Sequence, residues 1–329
     1  MKALVLGTVT ALVMLAAAGL WGTSTALADN GPHVAGNVIT TDACAGCHRA
    51  HTARGAYLLK TDELSLCYTC HDGTQAATNV RGGAMVAGPA NQALKGGGFI
   101  SAWLNTQDPT YNGDGTVGGT TIGVRVTSQP VTSTHSVDGT AQTIWGNGAL
   151  NSGVGFATFS LACTSCHDPH GNGQYRLLRK TPVADSGVVG PVDRAPAGVS
   201  VADIGTVGDN TSKAYTTGNY FNMFFGPTNI SNWCTQCHSR YLASGVSSGR
   251  SSSGDSIFMY RHSANDEGAS PTCEACHVSH GTNAAATGYA ATVPWPNPTS
   301  AENSQTALLN NSRLLKMDNR GMCQKCHKR

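Results

Sequence analysis

The run Cys-Thr-Ser-Cys-His-Asp-Pro-His at 163 to 170 places two thiols and two imidazoles within one short stretch. Cysteines spaced Cys-x-x-Cys on a helical turn face the same side. Their sulfurs can then bond the two vinyl groups of one porphyrin while the next histidine offers its imidazole to the iron, the attachment chemistry of c-type haem. The pattern occurs six times, at 44–48, 67–71, 163–167, 234–238, 273–277 and 323–327. The candidate covalent attachment residues are Cys44, Cys47, Cys67, Cys70, Cys163, Cys166, Cys234, Cys237, Cys273, Cys276, Cys323 and Cys326, which are all twelve cysteines of the chain. The proximal iron ligands would be His48, His71, His167, His238, His277 and His327. Disulfides in an exported chain and zinc knuckles are the competing readings. Neither requires a histidine directly after the second cysteine in every copy, so six covalently bound haems c are expected.

Twelve histidines less six proximal ligands leave His33, His51, His135, His170, His262 and His280. Six irons each needing a second axial ligand match that remainder, which favours bis-histidine coordination throughout. Ordinary surface histidines, or Met85, Met223, Met259, Met317 and Met322 as sulfur ligands, are the alternatives.

Geometry restricts the pairing. Ligands on opposite faces of a porphyrin, each about 2 Å from the metal, need backbones roughly 12 Å apart. Residues three apart on a helix are separated by about 5–6 Å, and by about 10 Å when fully extended. His170 therefore must reach a haem other than the one held by His167. The same holds for His51 beside His48 and His280 beside His277.

The elements that position these groups repeat. A lone histidine, a Cys-x-x-Cys-His-x-x-His and a lone Cys-x-x-Cys-His recur over about 33–71, 135–238 and 262–327, giving three haem-pair units in a single domain over 29–329. Tyr-Leu-Leu-Lys at 57–60, Arg-Leu-Leu-Arg at 176–179 and Arg-Leu-Leu-Lys at 313–316 mark corresponding places. Chain proximity assigns His33, His135 and His262 to the first haem of each pair and His51, His170 and His280 to the second.

Forty glycines, thirteen prolines and 6% aromatic residues argue against long helices or a well-filled aliphatic core. The expected fold is a multihaem cytochrome c, mostly loops and turns with short helices and few small strands wrapped around six haems, whose flat apolar faces replace missing side chains. Long polar stretches at 85–99, 111–135 and 244–256 read as ordered loops over porphyrin, with disorder as the alternative and small strands expected near 121–128. Lys2, an apolar run from Ala3 to Leu20 and Ala-Leu-Ala at 26–28 read as a secretory signal over 1–28, cleaved before Asp29, with an uncleaved anchor as the alternative.

Without Lys2 the net charge falls from +2 to +1. Twelve haem propionates would bring it to roughly −11 with ferrous iron, and cations near the motifs, such as Lys60, Arg179 and Lys316, are candidates to pair with them. No basic run suggests nucleic-acid binding.

The doubled motif, Cys-x-x-Cys-His-x-x-His followed by a lone Cys-x-x-Cys-His, resembles that of exported multihaem cytochromes from bacteria that respire minerals and other external acceptors. Cys-Ala-Gly-Cys-His-Arg-Ala-His at 44–51, near the mature N-terminus of a glycine-rich hexahaem chain, is similar to the hexahaem cytochromes that polymerise into extracellular conducting filaments. The resemblance implies a homopolymer in which a histidine of one subunit completes a haem of the next, with His51 or His33 as that histidine. It also implies other cytochromes as donors, an acceptor such as a metal oxide or electrode, and location at the cell surface, with the periplasm as the alternative.

Closed coordination excludes substrate binding at iron, so an electron-transfer protein with no catalytic residue and no membrane span after signal cleavage is expected. A soluble periplasmic carrier or conduit component is the nearest alternative. An oxyanion reductase is the alternative in another class, and such enzymes often carry Cys-x-x-Cys-Lys, which does not occur here.

Overall fold

The computed structural model describes residue 33 and residues 41–86, 93–103, 128–144, 158–172, 174–185, 214–215, 229–238, 273–284 and 313–316. Residues 1–32, the stretch at 244–256, all but the end of 121–128, His262 and the sixth motif lie outside them. Among the described residues no helix is long and apolar enough to cross a membrane.

Five short helices carry the attachment motifs: α1 (Thr41–Cys47), α2 (Glu63–His71), α3 (Cys163–Cys166), α4 (Asn229–Cys234) and α5 (Cys273–Cys276). Each supplies about one turn or two, enough to set two cysteines on one side. Helix α2 is the longest, and Asp62 starts it by accepting the Ser65 amide at 2.8 Å. Helix α3 ends where His167 turns extended, at φ −113° and ψ 145°.

Among the described residues, ten strands of two or three residues lie between the helices. β1 (Thr78–Asn79), β2 (Ala84–Met85) and β3 (Ala93–Leu94) are joined by β9 (Ala214–Tyr215) in one antiparallel sheet. Three two-stranded ribbons complete the set: β4 (Ser101–Ala102) with β5 (Gln129–Pro130), β6 (Ser133–Thr134) with β10 (Gly281–Thr282), and β7 (Ala141–Thr143) with β8 (Thr158–Ser160). The ribbon β6–β10 pairs across a long sequence gap and is the informative one, because β6 precedes His135 and β10 follows His280.

Few helices, small strands and extensive loops fit a multihaem cytochrome. The clearest cluster of fully buried apolar residues is made of Ala93, Ala102, Val278 and Ala284, with Trp103, Val131, Leu314 and Leu315 packed around it. Side chains this small bury little area, roughly 25 cal/mol per Å² of it. The glycine-rich stretch before Phe99 has a steric reason. Gly97 is left-handed at φ +74°, and a Cβ there would stand 2.0 Å from the carbonyl oxygen of Gly281.

The repeated Leu-Leu segments form one recurring turn. Tyr57 and Leu58, Arg176 and Leu177, and Arg313 and Leu314 all have positive φ, between 47° and 60°. Left-handed backbone costs a residue with a Cβ about 1–2 kcal/mol. The turn is held by hydrogen bonds back to the first motif of its own unit. Leu58 O accepts from Arg49 N at 2.8 Å and Cys47 O from Lys60 N at 2.9 Å. The same two bonds recur as Asp168 N to Leu177 O with Arg179 N to Cys166 O, and as Val278 N to Leu314 O with Lys316 N to Cys276 O.

Candidate haem sites

Numbering the sites 1 to 6 in motif order, each described proximal histidine of the first four stands opposite one histidine from elsewhere. His48 and His170 have ring centres 6.2 Å apart, and His71 and His33 6.0 Å apart. His167 and His280 are separated by 6.4 Å, and His238 and His135 by 6.2 Å. Two imidazoles bound through nitrogen on opposite sides of one metal, at about 2.0 Å each, would have centres about 6.3 Å apart. The residues therefore fit an iron between each pair. The interplanar angles run from 11° to 67°, a freedom that rotation about a shared metal–nitrogen axis allows.

These pairs correct the assignment by proximity. His33 and His135 stand on the second site of their units, not the first. His170 and His280 stand on the first site of the preceding unit, sites 1 and 3, not on the second site of their own. Proximity along the chain fails because the second and third doubled motifs turn their trailing histidines, His170 and His280, to the unit before. His51 is exposed, and His277 and His51 have no ring against them among the described residues. His262, Cys323, Cys326 and His327 lie outside the described residues.

Ring nitrogens not facing the partner are fixed by carbonyls. The left-handed turns aim the carbonyls of Tyr57, Arg176 and Arg313 at Nδ1 of His48, His167 and His277, at 3.0, 2.8 and 2.9 Å. An Nδ1–H donated to a carbonyl leaves Nε2 with its lone pair for iron and raises its basicity. On the distal side, Nδ1 of His33 donates to Pro169 O at 2.8 Å and Nδ1 of His135 to Ser279 O at 2.7 Å. Pro169 and Ser279 immediately precede His170 and His280, so the distal histidines of adjacent sites are tied together. Phe99 stacks on His280 at 4.5 Å, and burial of His280 pushes its pKa down to about 3. Burial likewise lowers those of His135, His167 and His277, keeping each imidazole in the neutral form that a metal requires.

The remaining neighbours meet through cysteines. Helix α2 packs on α3, which sets the sulfurs of Cys67 and Cys163 side by side. Glu63 fixes this contact by accepting from the Thr164 amide at 2.8 Å and its hydroxyl at 2.9 Å. Helix α4 packs on α5 in the same way, with Cys234 against Cys273 and the Ser231 hydroxyl accepting the Cys273 amide at 3.1 Å. Glu63, Cys67 and Cys163 also bring their ligand atoms within 4.8 Å of one another, but both sulfurs belong to attachment motifs. All ten described cysteines are free of disulfides.

Sites 1 to 5 thus follow in chain order. Distal histidines join 1 to 2 and 3 to 4, and first cysteines join 2 to 3 and 4 to 5. The doubled motif predicted the histidines but not the supporting groups. Tyr57, Arg176 and Arg313 were signalled by the repeated Leu-Leu; Glu63 and Ser231 had no signal, since their roles depend on helix contacts across long gaps.

What the geometry defines, then, is a set of paired-histidine sites beside Cys-x-x-Cys turns. Residues 37–76 match the doubled CXXCH motif family. That match supports a multihaem c-type cytochrome acting in electron transfer, with covalently bound haem c at the motifs. No curated protein and no solved structure gives a significant match.

Proposed function

We propose that the chain is a hexahaem c-type cytochrome that passes electrons from haem to haem and polymerises head to tail into an extracellular conducting filament. The observation that carries the reading is the alternation of contacts along sites 1 to 5, which among the described residues leaves His51 and His277 without a facing ring. The trailing histidine of each later doubled motif, His170 or His280, stands on the first site of the unit before it. His51 is the equivalent residue of the first unit, and no ring stands against it among the described residues. Site 5, with His277, is the first site of the third unit, and no ring stands against His277 among the described residues either. His51 of one copy would complete site 5 of the next, while His262, by analogy with His33 and His135, would complete site 6 of its own chain.

Such a contact joins two different surfaces and, where its rotation does not close into a ring, generates a filament. The signal-like N-terminus supports export. Haem supplies the electron-carrying chemistry when bound, and the chain's part is to hold two neutral imidazoles per iron, fix their tautomers through carbonyls and leave no position for a substrate. Other cytochromes would donate and a metal oxide or electrode would accept. The second reading, a soluble periplasmic carrier, would have His51 fold back within its own chain. Electron microscopy of material sheared from expressing cells tests this. Filaments with six haems per repeat are expected; discrete periplasmic particles with every iron capped by one chain would overturn the filament.

A further inference from the structure

The contacts around each distal pair go beyond the two histidines, and they recur in a form that can be carried to the unmatched ends. At sites 3 and 4, the ribbon β6–β10 runs beside the pair, with Thr134 opposite Gly281 and Ser133 opposite Thr282. His135 N donates to His280 O at 2.9 Å and Thr132 N to Thr282 O at 2.8 Å. Nδ1 of His135 donates to Ser279 O at 2.7 Å. The segment preceding one distal histidine is therefore laid, as an added strand, along the segment that carries the other. At sites 1 and 2 the corresponding bond is that from His33 to Pro169 O at 2.8 Å.

The third instance of the accepting segment is Ala50–Ala53, around His51. It is displayed but not used: Ala50, His51 and Thr52 are exposed, and the carbonyls of Ala50, His51 and Ala53 accept no hydrogen bond among the described residues. The third instance of the donating segment is 259–262, which ends in His262.

We propose that Ala50–Ala53 is a docking edge for residues 259–262 of a second copy of this chain. The two segments pair as an antiparallel two-stranded ribbon, and Nδ1 of His262 donates to the carbonyl of Ala50. This rests on the filament reading and specifies its interface. Register follows from the template: Thr52 lies opposite Arg261, Ala53 opposite Tyr260, His262 N donates to His51 O, and Met259 N donates to Ala53 O. Tyr260 within the donating segment, with Ile257 and Phe258 just before it, gives this stretch the β-branched and aromatic composition of a strand. Position 52 is threonine where 281 is glycine, and the template tolerates this. A Cβ at Gly281 would collide with Gly98 O, a contact made by a different loop, but would meet Ser133 O and Val131 Cγ1 on the ribbon partner's side at 3.2 Å each, which a shift of a few tenths of an ångström relieves. The backbone ladder supplies affinity and the alternating side chains supply register, as in other strand additions.

The test uses full-length haem-loaded protein and paired cysteines. Residues directly opposite in an antiparallel ribbon have Cβ atoms about 4.5–5.5 Å apart, close enough for a disulfide after small adjustment. The variants Thr52→Cys with Arg261→Cys, and Ala53→Cys with Tyr260→Cys, should give disulfide-linked ladders on non-reducing denaturing gels, at least about tenfold more abundant than for Thr52→Cys with Tyr260→Cys, where the side chains point to opposite faces. Haem content and electron microscopy are read on the same samples. Filaments without ladders, or with equal ladders in the out-of-register pair, overturn the docking edge and leave the filament intact. Wild-type particles that never polymerise overturn the filament, and the docking edge with it. If the cysteine variants fail to assemble, a wild-type filament map decides: His262 Nδ1 within hydrogen-bond distance of Ala50 O in the adjacent copy is expected, and any other acceptor there refutes the proposal.

Discussion

Replacing His170 by alanine separates the spatial pairing from the one that chain proximity suggests. The His170 side chain is 77% exposed, and its backbone amide bond to Asp168 at 3.1 Å survives the change. Packing and the local turn should therefore be almost unaffected, and the variant should fold and acquire haem. What is lost is the ring standing 6.2 Å from His48, within about 0.1 Å of the separation for two ligands on one metal. One haem in six should open, so about a sixth of the haem should turn high-spin and bind carbon monoxide after reduction. The identity of the opened haem is read by combining H170A with removal of one attachment pair. In a chain also carrying Cys44→Ser and Cys47→Ser the new carbon monoxide signal should vanish, because site 1 is gone. With Cys234→Ser and Cys237→Ser instead, it should persist. An unchanged spectrum in H170A, or a signal lost with site 4 rather than site 1, would refute the pairing.

Leu177→Gly should keep the turn, and with it the carbonyl bond to His167, while relieving about 1–2 kcal/mol of left-handed strain against about 0.5–1 kcal/mol of added chain freedom. Its thermal midpoint should hold or rise slightly. Leu177→Pro cannot adopt φ near +60° and should misdirect Arg176 O, raising the potential of the site 3 haem in a redox titration. Gly97→Ala adds a Cβ against Gly281 O in a left-handed residue, so β10 must shift and His280 with it; a carbon monoxide-binding haem at site 3 is expected. The pH response has a definite sign. An imidazole whose folded pKa is depressed contributes stability that is complete above its ordinary value near 6.5 and is lost as pH falls through the folded value. For His280 burial alone sets that value at about 3, and a bond to iron would oppose the proton further, so the site 3 haem should stay low-spin at pH 5. Conversion near pH 6 would contradict the burial of that ring.

The local chemistry was legible in the sequence because covalent haem attachment needs a contiguous pattern. Cys163, Cys166 and His167 announce their site without any neighbour, and the shortage of apolar side chains announces small strands and loops. Which histidine meets which was not legible. His170 faces His48 across more than a hundred residues, a relation fixed by how one unit's turn lies on the previous unit. The Leu-Leu repeats mark corresponding places in the sequence, between the first and second motifs of each unit. In the fold they turn back on the first, since their carbonyls are directed by left-handed backbone that no residue type announces. Glu63 shows the same limit, a carboxylate that holds a helix contact with Thr164 and carries no motif of its own.

The account stands on closed coordination by paired histidines, and electron paramagnetic resonance of the purified, fully haem-loaded oxidised protein tests that most directly. Low-spin bis-histidine signals alone, integrating to the whole iron content, are the predicted result. A high-spin signal amounting to one haem or more in assembled protein would contradict it, and would place an open iron, with the chemistry of an enzyme, in this chain.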